Sequence, residues 1–277
     1  MPPSAADPGA IARRFVAARL GAAPLASYPG ALPEDLDHAY AIQDAAITLW
    51  PDAVGGWKVG RIPSPWRERY GEERLVGPIF RTSIRWSTAG KVLDCPVFEG
   101  GFAAVEAEYV IQLAKDAPAD KLSWTADEAL GIAASLHVGV EPASSPLESI
   151  NRLGPAVVVS DFGNNAGLLV GPEVPRFWER TDESLVCEVF IDGRSVGRGG
   201  AASIPRGPLA ALAFALARCA RRGRPLRAGD FVSTGAASGI HDIRPGQGAR
   251  LSFGDDGEIL CRATRAEPRG NTEATMP

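Results

Sequence analysis

Apolar residues recur at helical spacing over two N-terminal stretches, Asp7 to Leu20 and Leu36 to Leu49. Asp7 and the Pro33-Glu34 pair read as start signals, and Pro51 closes the second stretch. The spacing therefore predicts a helical opening to the chain. "AVGGWKVG", ending at Gly60, follows as a short glycine-bounded strand with Lys58 inside it. The next segment, "RIPSPWRERYGEERLVGPIF", is Pro-rich and charged and reads as an irregular connection of the kind that lies over a site. From Ser83 onward the periodicity shifts to strands: "SIRW", "KVLDCPV", Phe102 to Leu113, "SLHVGVEPA", "AVVVSDF", "GLLVGP", "SLVCEVFIDGRSVGRG", "DFVSTG" and "ARLSFGDDGEILCRA". Asp192-Gly193 and Asp256-Gly257 are hairpin signals between alternating apolar residues. One clear helix, "PLAALAFALARCARRG", interrupts the strands, closed by Gly223 and basic in its last turn. The expected organisation is a helical region over 1–75 packed on a β core over 76–277, with the polar tail 267–277 disordered.

Composition narrows the partners. The chain has 277 residues, 45% of them hydrophobic and 22% charged, with a net charge of -4. That is enough chain for a sizeable core, and it lacks the basic excess of a nucleic-acid binder. A small-molecule partner is expected instead. Cys95, Cys187, Cys219 and Cys261 are scattered without zinc spacing and read as packed, reduced thiols. Neither a secretory signal nor an apolar stretch of membrane-spanning length is present, so a cytoplasmic protein with no membrane partner is expected. Homo-oligomers are common among such enzymes, and one is expected here.

The stretch richest in chemistry is Glu106-Ala-Glu108. It lies in a run dense in Val, Ile, Tyr and Phe without Gly or Pro, so it reads as a strand, and residues two apart in a strand share a face. Two carboxylates side by side in apolar surroundings repel each other and lose hydration unless protons or a cation neutralise them. A hard divalent metal is the simplest neutraliser. A strand whose glutamates face solvent is the plainer alternative for a lone Glu-x-Glu. Glu141, at the end of "SLHVGV" and before Pro142, is a third carboxylate in a similar setting and shifts the balance toward a metal.

At this point the chain resembles a known family. Gly56-Trp57-Lys58-Val59-Gly60, Glu106 and Glu108, Glu141, and "DFGNNAGLLVGP" follow one another as in the 2-keto-4-pentenoate hydratases and 4-oxalocrotonate decarboxylases of the fumarylacetoacetate hydrolase superfamily. "HAYAIQ" and "GPLAALAFALARCARRGRPLRAGDFVSTG" extend the likeness over most of residues 36 to 265. The resemblance implies an α+β fold with a mixed β roll or barrel-like core. It implies Mg²⁺ or Mn²⁺ held by Glu106, Glu108 and Glu141, and Lys58 as the catalytic residue. Substrate contacts are implied at Lys58, Asn165, Thr234, Gly235 and Ser238. The implied reaction is hydration of a 2-hydroxydienoic or 2-oxo acid such as 2-hydroxypenta-2,4-dienoate, in the breakdown of aromatic compounds. Alternatives are decarboxylation of the 4-oxalocrotonate type, hydrolysis of the acylpyruvate type, or ligand binding without turnover.

The departures from that family are specific. Relatives continue from the third glutamate as "E-I-V-D-S-R", whereas Glu141-Pro142-Ala143-Ser144-Ser145-Pro146 stands here, without the acidic and Arg positions. Ala236 occupies a place where the family offers a hydroxyl, which Thr234 or Ser238 can replace. The hydrolase-type "K-S-x-D-x-F-x-P-x-G-P" stretch is missing, which argues against hydrolysis of a C–C bond. His241 and Asp242 lie in a loop from which an acid or base could reach a site, and an exposed loop His is as good a reading. His137 reads as a hydrogen-bonded core residue able to brace Glu141, and His38 as a weak site candidate. The arginines of "CARRGRPLR" read as a solvated helix end.

Overall fold

A computed structural model describes residues 7–269. Its helices are α1 (Pro8–Leu20), α2 (Leu36–Leu49), α3 (Trp66–Tyr70), α4 (Ala126–Leu130), α5 (Pro155–Ser160) and α6 (Gly207–Arg221). Its strands are β1 (Val54–Arg61), β2 (Arg74–Phe80), β3 (Ile84–Trp86), β4 (Val92–Val97), β5 (Phe102–Leu113), β6 (Ala133–Ser145), β7 (Leu168–Glu173), β8 (Val186–Ile191), β9 (Arg194–Gly200), β10 (Phe231–Ser233), β11 (His241–Asp242), β12 (Gly248–Ser252) and β13 (Glu258–Arg265). The two N-terminal helices form where the periodicity places them. Asp7 caps α1 by accepting from the N–H groups of Gly9 and Ala10, and Pro8 fits the first turn, where its missing N–H costs nothing.

The strands build two sheets. One has the order β2-β1-β10-β5-β6-β7-β3, with β11 pairing β5; the other runs β4-β13-β12-β8-β9. Both are mixed: β1 with β10, β3 with β7, and β13 with β4 run parallel, and the remaining pairs antiparallel. Together with the helices they make the expected α+β architecture with a mixed β roll. β5 and β6 form its spine, pairing from Phe102 opposite Ser145 to Leu113 opposite Ala133. Both strands are covered on both faces, so nearly every residue is buried whichever way it points. β1 lies between β2 and β10, and it carries Lys58 into this sheet. Among the described residues no helix is long and apolar enough to cross a membrane.

Three local readings change. Residues of "AVVVSDF" form α5 and a 3₁₀ turn (Phe162–Asn164) rather than a strand. The β-branched run favours extension, but Gly154 with φ 102° and Pro155 at the first helical position start a helix, and Gln43 Nε2 donates to Val159 O at 2.8 Å. The Pro-rich connection is less irregular than its composition suggests. Its last part is β2, an edge strand, where Pro78 need not donate to a neighbour. α4 was signalled by a capping box, Thr125 with Glu128, that the alternation of its neighbours overshadows. Of the tail expected to be disordered, 270–277 lie outside the described residues, while Arg269 N–H donates to Leu20 O at 2.8 Å and its guanidinium lies over Trp50.

Candidate metal centre and active site

The antiparallel register places Glu106 of β5 directly opposite Glu141 of β6, and Glu108 lies two residues along on the same face. Each of the three offers a carboxylate oxygen, all within 4.8 Å of one another. All three side chains are buried, Glu108 and Glu141 completely. Lys58 approaches from β1 with its Nζ 3.2 Å from Glu141 Oε1, and it donates to Gly163 O at 3.1 Å. Register explains this too: β1 and β10 pair only from Gly56 opposite Phe231 to Lys58 opposite Ser233. Beyond that point a cavity of about 720 Å³ opens, lined by Gly60 and Arg61 on one side and Gly235 and Ala236 on the other, with Lys58 and Glu106 in its wall.

Neighbouring groups fix the carboxylates. Ser233 Oγ and the Gly235 N–H donate to Glu108 Oε2 at 2.8 and 2.7 Å. Asn165 Nδ2 donates to Glu141 Oε1 at 3.0 Å and also to Gly167 O. Glu108 Oε1 and Glu141 Oε2 are buried without a hydrogen-bond partner. Unpartnered buried carboxylate oxygens are costly unless something positive meets them, and one ammonium group cannot neutralise three carboxylates. A cation among the three suits both facts.

The electrostatics agree. Burial, then repulsion from Glu141, pushes Glu106 up to about 8 despite the opposing pull of Lys58. Burial and the charges of Glu141 and Glu106 hold Glu108 well above the ordinary carboxylate range. For Lys58 burial works downward, but Glu141, Glu106 and Glu108 outweigh it and keep its pKa above the ordinary lysine value. Lys58 is therefore a fixed positive charge at neutral pH.

The remaining residues singled out in the sequence divide. Asn165 comes to the cluster, but its amide is engaged by Glu141 and Gly167. Thr234 and Gly235 line the cavity, although the Thr234 hydroxyl donates to Tyr109 O at 2.7 Å and the Gly235 N–H serves Glu108. Ser238 also lines the cavity, its Oγ 3.1 Å from His241 Nε2. His241 is half-buried on β11, paired with Val105 of β5. His137 does not brace Glu141; its ring bonds Ser135 Oγ and Gly171 O. His38 lies half-buried on α2. The arginines of "CARRGRPLR" are a solvated end only in part: Arg221 and Arg227 are exposed, whereas Arg222 and Arg224 both pair with Asp44 and Arg222 lies over Tyr40.

Sequence reading missed Ser233 and Gly163, whose roles depend on pairing across strands. It also missed a buried network behind Glu141. Arg19 of α1 forms an ion pair with Asp161, and it donates to Asn165 O at 2.9 Å and to Ser144 O at 3.0 Å. Ser145 Oγ donates to Asp161 Oδ2 at 2.6 Å.

Neither a protein-family model nor a curated protein matches this sequence. Solved structures do. The 4-oxalocrotonate decarboxylase of Pseudomonas putida G7 complexed with magnesium and adipate is similar with a TM-score of 0.77 at 20% identity, over 92% of this chain and 97% of that one. The same enzyme with calcium and acetate gives 0.74 at 19% identity, over 92% and 96%. Fumarylpyruvate hydrolase from Pseudomonas aeruginosa with Mn²⁺ and pyruvate gives 0.56 at 18% identity, over 76% and 89%. The chain has the fold of these structures, as the resemblance to the fumarylacetoacetate hydrolase superfamily led one to expect.

Proposed function

We propose that this chain is a metal-dependent lyase that adds water to a small 2-hydroxydienoic or 2-oxo acid, with 2-hydroxypenta-2,4-dienoate as the type substrate. One observation carries the reading. Three buried carboxylates cluster with a lysine against them beside a cavity large enough for a small acid, which Glu106 and Lys58 line, in a fold of which three solved examples are complexed with Mg²⁺, Ca²⁺ or Mn²⁺.

Glu106, Glu108 and Glu141 would hold the divalent cation, Mg²⁺ or Mn²⁺, which supplies Lewis-acid polarisation of a chelating carboxylate and 2-oxygen. The protein's own part is positional and electrostatic. Ser233, the Gly235 N–H and Asn165 hold the glutamates in place. Lys58 keeps a positive charge at the acid end of the substrate and favours negative charge developing on the 2-oxygen. In hydration, the water oxygen bonds to C4 of the α,β-unsaturated 2-oxo acid and a proton is delivered to C3. Decarboxylation is the second reading, favoured by the near-complete overlap with the 4-oxalocrotonate decarboxylase fold. There the electrons of the departing carboxylate enter the same enolate.

The test is product analysis after incubation with Mg²⁺ and a panel of the dienoate, 4-oxalocrotonate and an acylpyruvate. Water addition or CO₂ release is expected, and Lys58→Ala should slow it about a hundredfold or more. Cleavage of the acylpyruvate alone would make the protein a hydrolase. Metal and ligand binding with no turnover of any of the three would make it a binding protein.

A further inference from the structure

Five buried polar side chains line the cavity: Lys58, Arg74, Glu106, Thr234 and Asn164. Four of them are engaged. Glu106 belongs to the carboxylate cluster, Lys58 meets Glu141 and Gly163 O, the Thr234 hydroxyl donates to Tyr109 O, and Arg74 donates to Pro205 O. Asn164 is idle. It is only 3% exposed, its Oδ1 is buried without a hydrogen-bond partner, and its side-chain amide bonds no other group among the described residues. Burying an amide without partners is unfavourable, so an idle one in a cavity wall points to a ligand that completes it.

The backbone fixes where this amide stands. Phe162, Gly163 and Asn164 have φ of 55°, 67° and 66°, and the Asn164 N–H donates to Asp161 O at 2.9 Å. Asn tolerates the left-handed region better than most side chains. The turn packs on the stem of Lys58: a Cβ on Gly163 would lie 3.1 Å from Lys58 Cδ, and Gly163 O accepts from Lys58 Nζ. Asn164 therefore enters the cavity wall one residue beyond the group that holds Lys58. Asn165, the asparagine singled out in the sequence, gives its amide to Glu141 and Gly167 instead.

Donor counting gives Asn164 a task. Lys58 has three N–H groups, and Glu141 and Gly163 O take two of them. An ionised 2-oxo acid carries only acceptor oxygens, so the part of an amide it can use is the N–H end. We propose that Asn164 Nδ2 donates to the 2-oxygen of the bound acid as a second donor beside Lys58, in a bond that strengthens as negative charge develops there. This rests on the metal-dependent reading of the same site. When the water oxygen bonds to C4, the C3–C4 π pair becomes the C2–C3 double bond and the carbonyl π pair moves to the 2-oxygen. Protonation at C3 then restores the carbonyl, and the added water loses its extra proton to solvent. Fixed donors aimed at the oxygen that gains charge favour the first of these steps.

Calorimetric titration of the full-length, Mg²⁺-loaded protein with oxalate and with pyruvate tests it. Oxalate places negative charge on the oxygen where the enolate develops it, and pyruvate has a neutral carbonyl there. In Asn164→Gly, oxalate should bind about tenfold more weakly and pyruvate within about threefold of the parent protein. For whichever acid the parent converts, kcat should fall about a hundredfold with KM within about threefold. Glycine adopts positive φ freely, so this variant keeps the turn. Asn164→Ala removes the same amide from a stiffer backbone and should give the same pattern should Asn164→Gly fail to fold. A merely structural role would weaken both ligands alike, and equal weakening, or none, would overturn the assignment to the 2-oxygen. Lost water addition with oxalate binding intact would also overturn it, and would give the amide to the attacking water. Oxalate that fails to bind the parent in a Mg²⁺-dependent way would overturn the metal-dependent reading and the proposal with it.

Discussion

Three carboxylates face one ammonium group at the buried end of the cavity, and the imbalance governs how single residues there behave. Protons are the only counter-charge Glu106 can take up without a cation, which is why its pKa stands near 8 rather than 4.5. The sign of the pH effect follows. A carboxyl group whose folded pKa is raised binds more protons in the native state, so its share of metal-free stability is full below about 4.5 and declines as pH climbs through about 8. Glu106→Gln removes that decline. The metal-free variant should be more stable than the parent protein at about pH 9, by on the order of a few kcal/mol, and so melt higher, and the gap should shrink at about pH 5. The same variant should lose most of the stabilisation that Mg²⁺ gives the parent. Thermal melts in chelator and in Mg²⁺ at the two pH values check both; a variant less stable than the parent at high pH would show that Glu106 sits there comfortably ionised. At this scale the sequence was informative, because the Glu-x-Glu spacing on a strand forces adjacency. It could not show that the Gly235 N–H and the Asn165 amide are engaged with the carboxylates, since that depends on which strands lie side by side.

Elements were legible where pattern and tertiary setting agree. β5 runs from Phe102 to Leu113 as its uninterrupted β-favouring residues indicate, and α1 and α2 end where their periodicity ends. They were misread where a neighbour decides. The Val-rich run of α5 is helical because Gly154 and Pro155 start it and α2 packs on it, and β2 is a strand because β1 offers it a partner. The turn after α5 matters most to the site, for it brings Gly163 O to Lys58. That turn lies hard against β2: a Cβ on Gly77 would sit 2.2 Å from Phe162 O, and Gly163 itself has φ 67°. Backbone cannot give way as a flexible side chain can. Gly77→Ala should therefore push the turn away from β2, lowering stability by about 2 kcal/mol or more and weakening metal affinity as Lys58 loses its carbonyl partner. Melting and Mg²⁺ titration on one preparation check it; unchanged metal affinity in a destabilised variant would mean that the turn does not position Lys58.

Across the whole molecule, α1 is clasped to the β core through one buried arginine. Arg19 is 6% exposed, its guanidinium spanning Asp161, Ser144 and Asn165, and Asn165 in turn grips Glu141. Helical periodicity places Arg19 on α1 but gives no hint of a carboxylate 142 residues away. Replacing one member of a buried pair leaves the other uncompensated, so Arg19→Met should cost about 3 to 5 kcal/mol and weaken Mg²⁺ binding through Asn165 and Glu141. Arg19→Lys should recover part of the stability, and denaturant unfolding of both variants, with and without Mg²⁺, measures the difference; an Arg19→Met protein as stable as the parent would remove α1 from this account. The Mg²⁺-dependent part of each of these expectations rests on Glu106, Glu108 and Glu141 acting together as one cation site. Anomalous diffraction from crystals soaked in Mn²⁺ tests that most directly. The account predicts a single strong peak touching a carboxylate oxygen from each of the three, at about 2.0 to 2.2 Å, and its disappearance in Glu108→Gln. Manganese bound elsewhere, or three glutamates left without an ion in saturating Mn²⁺, would contradict it.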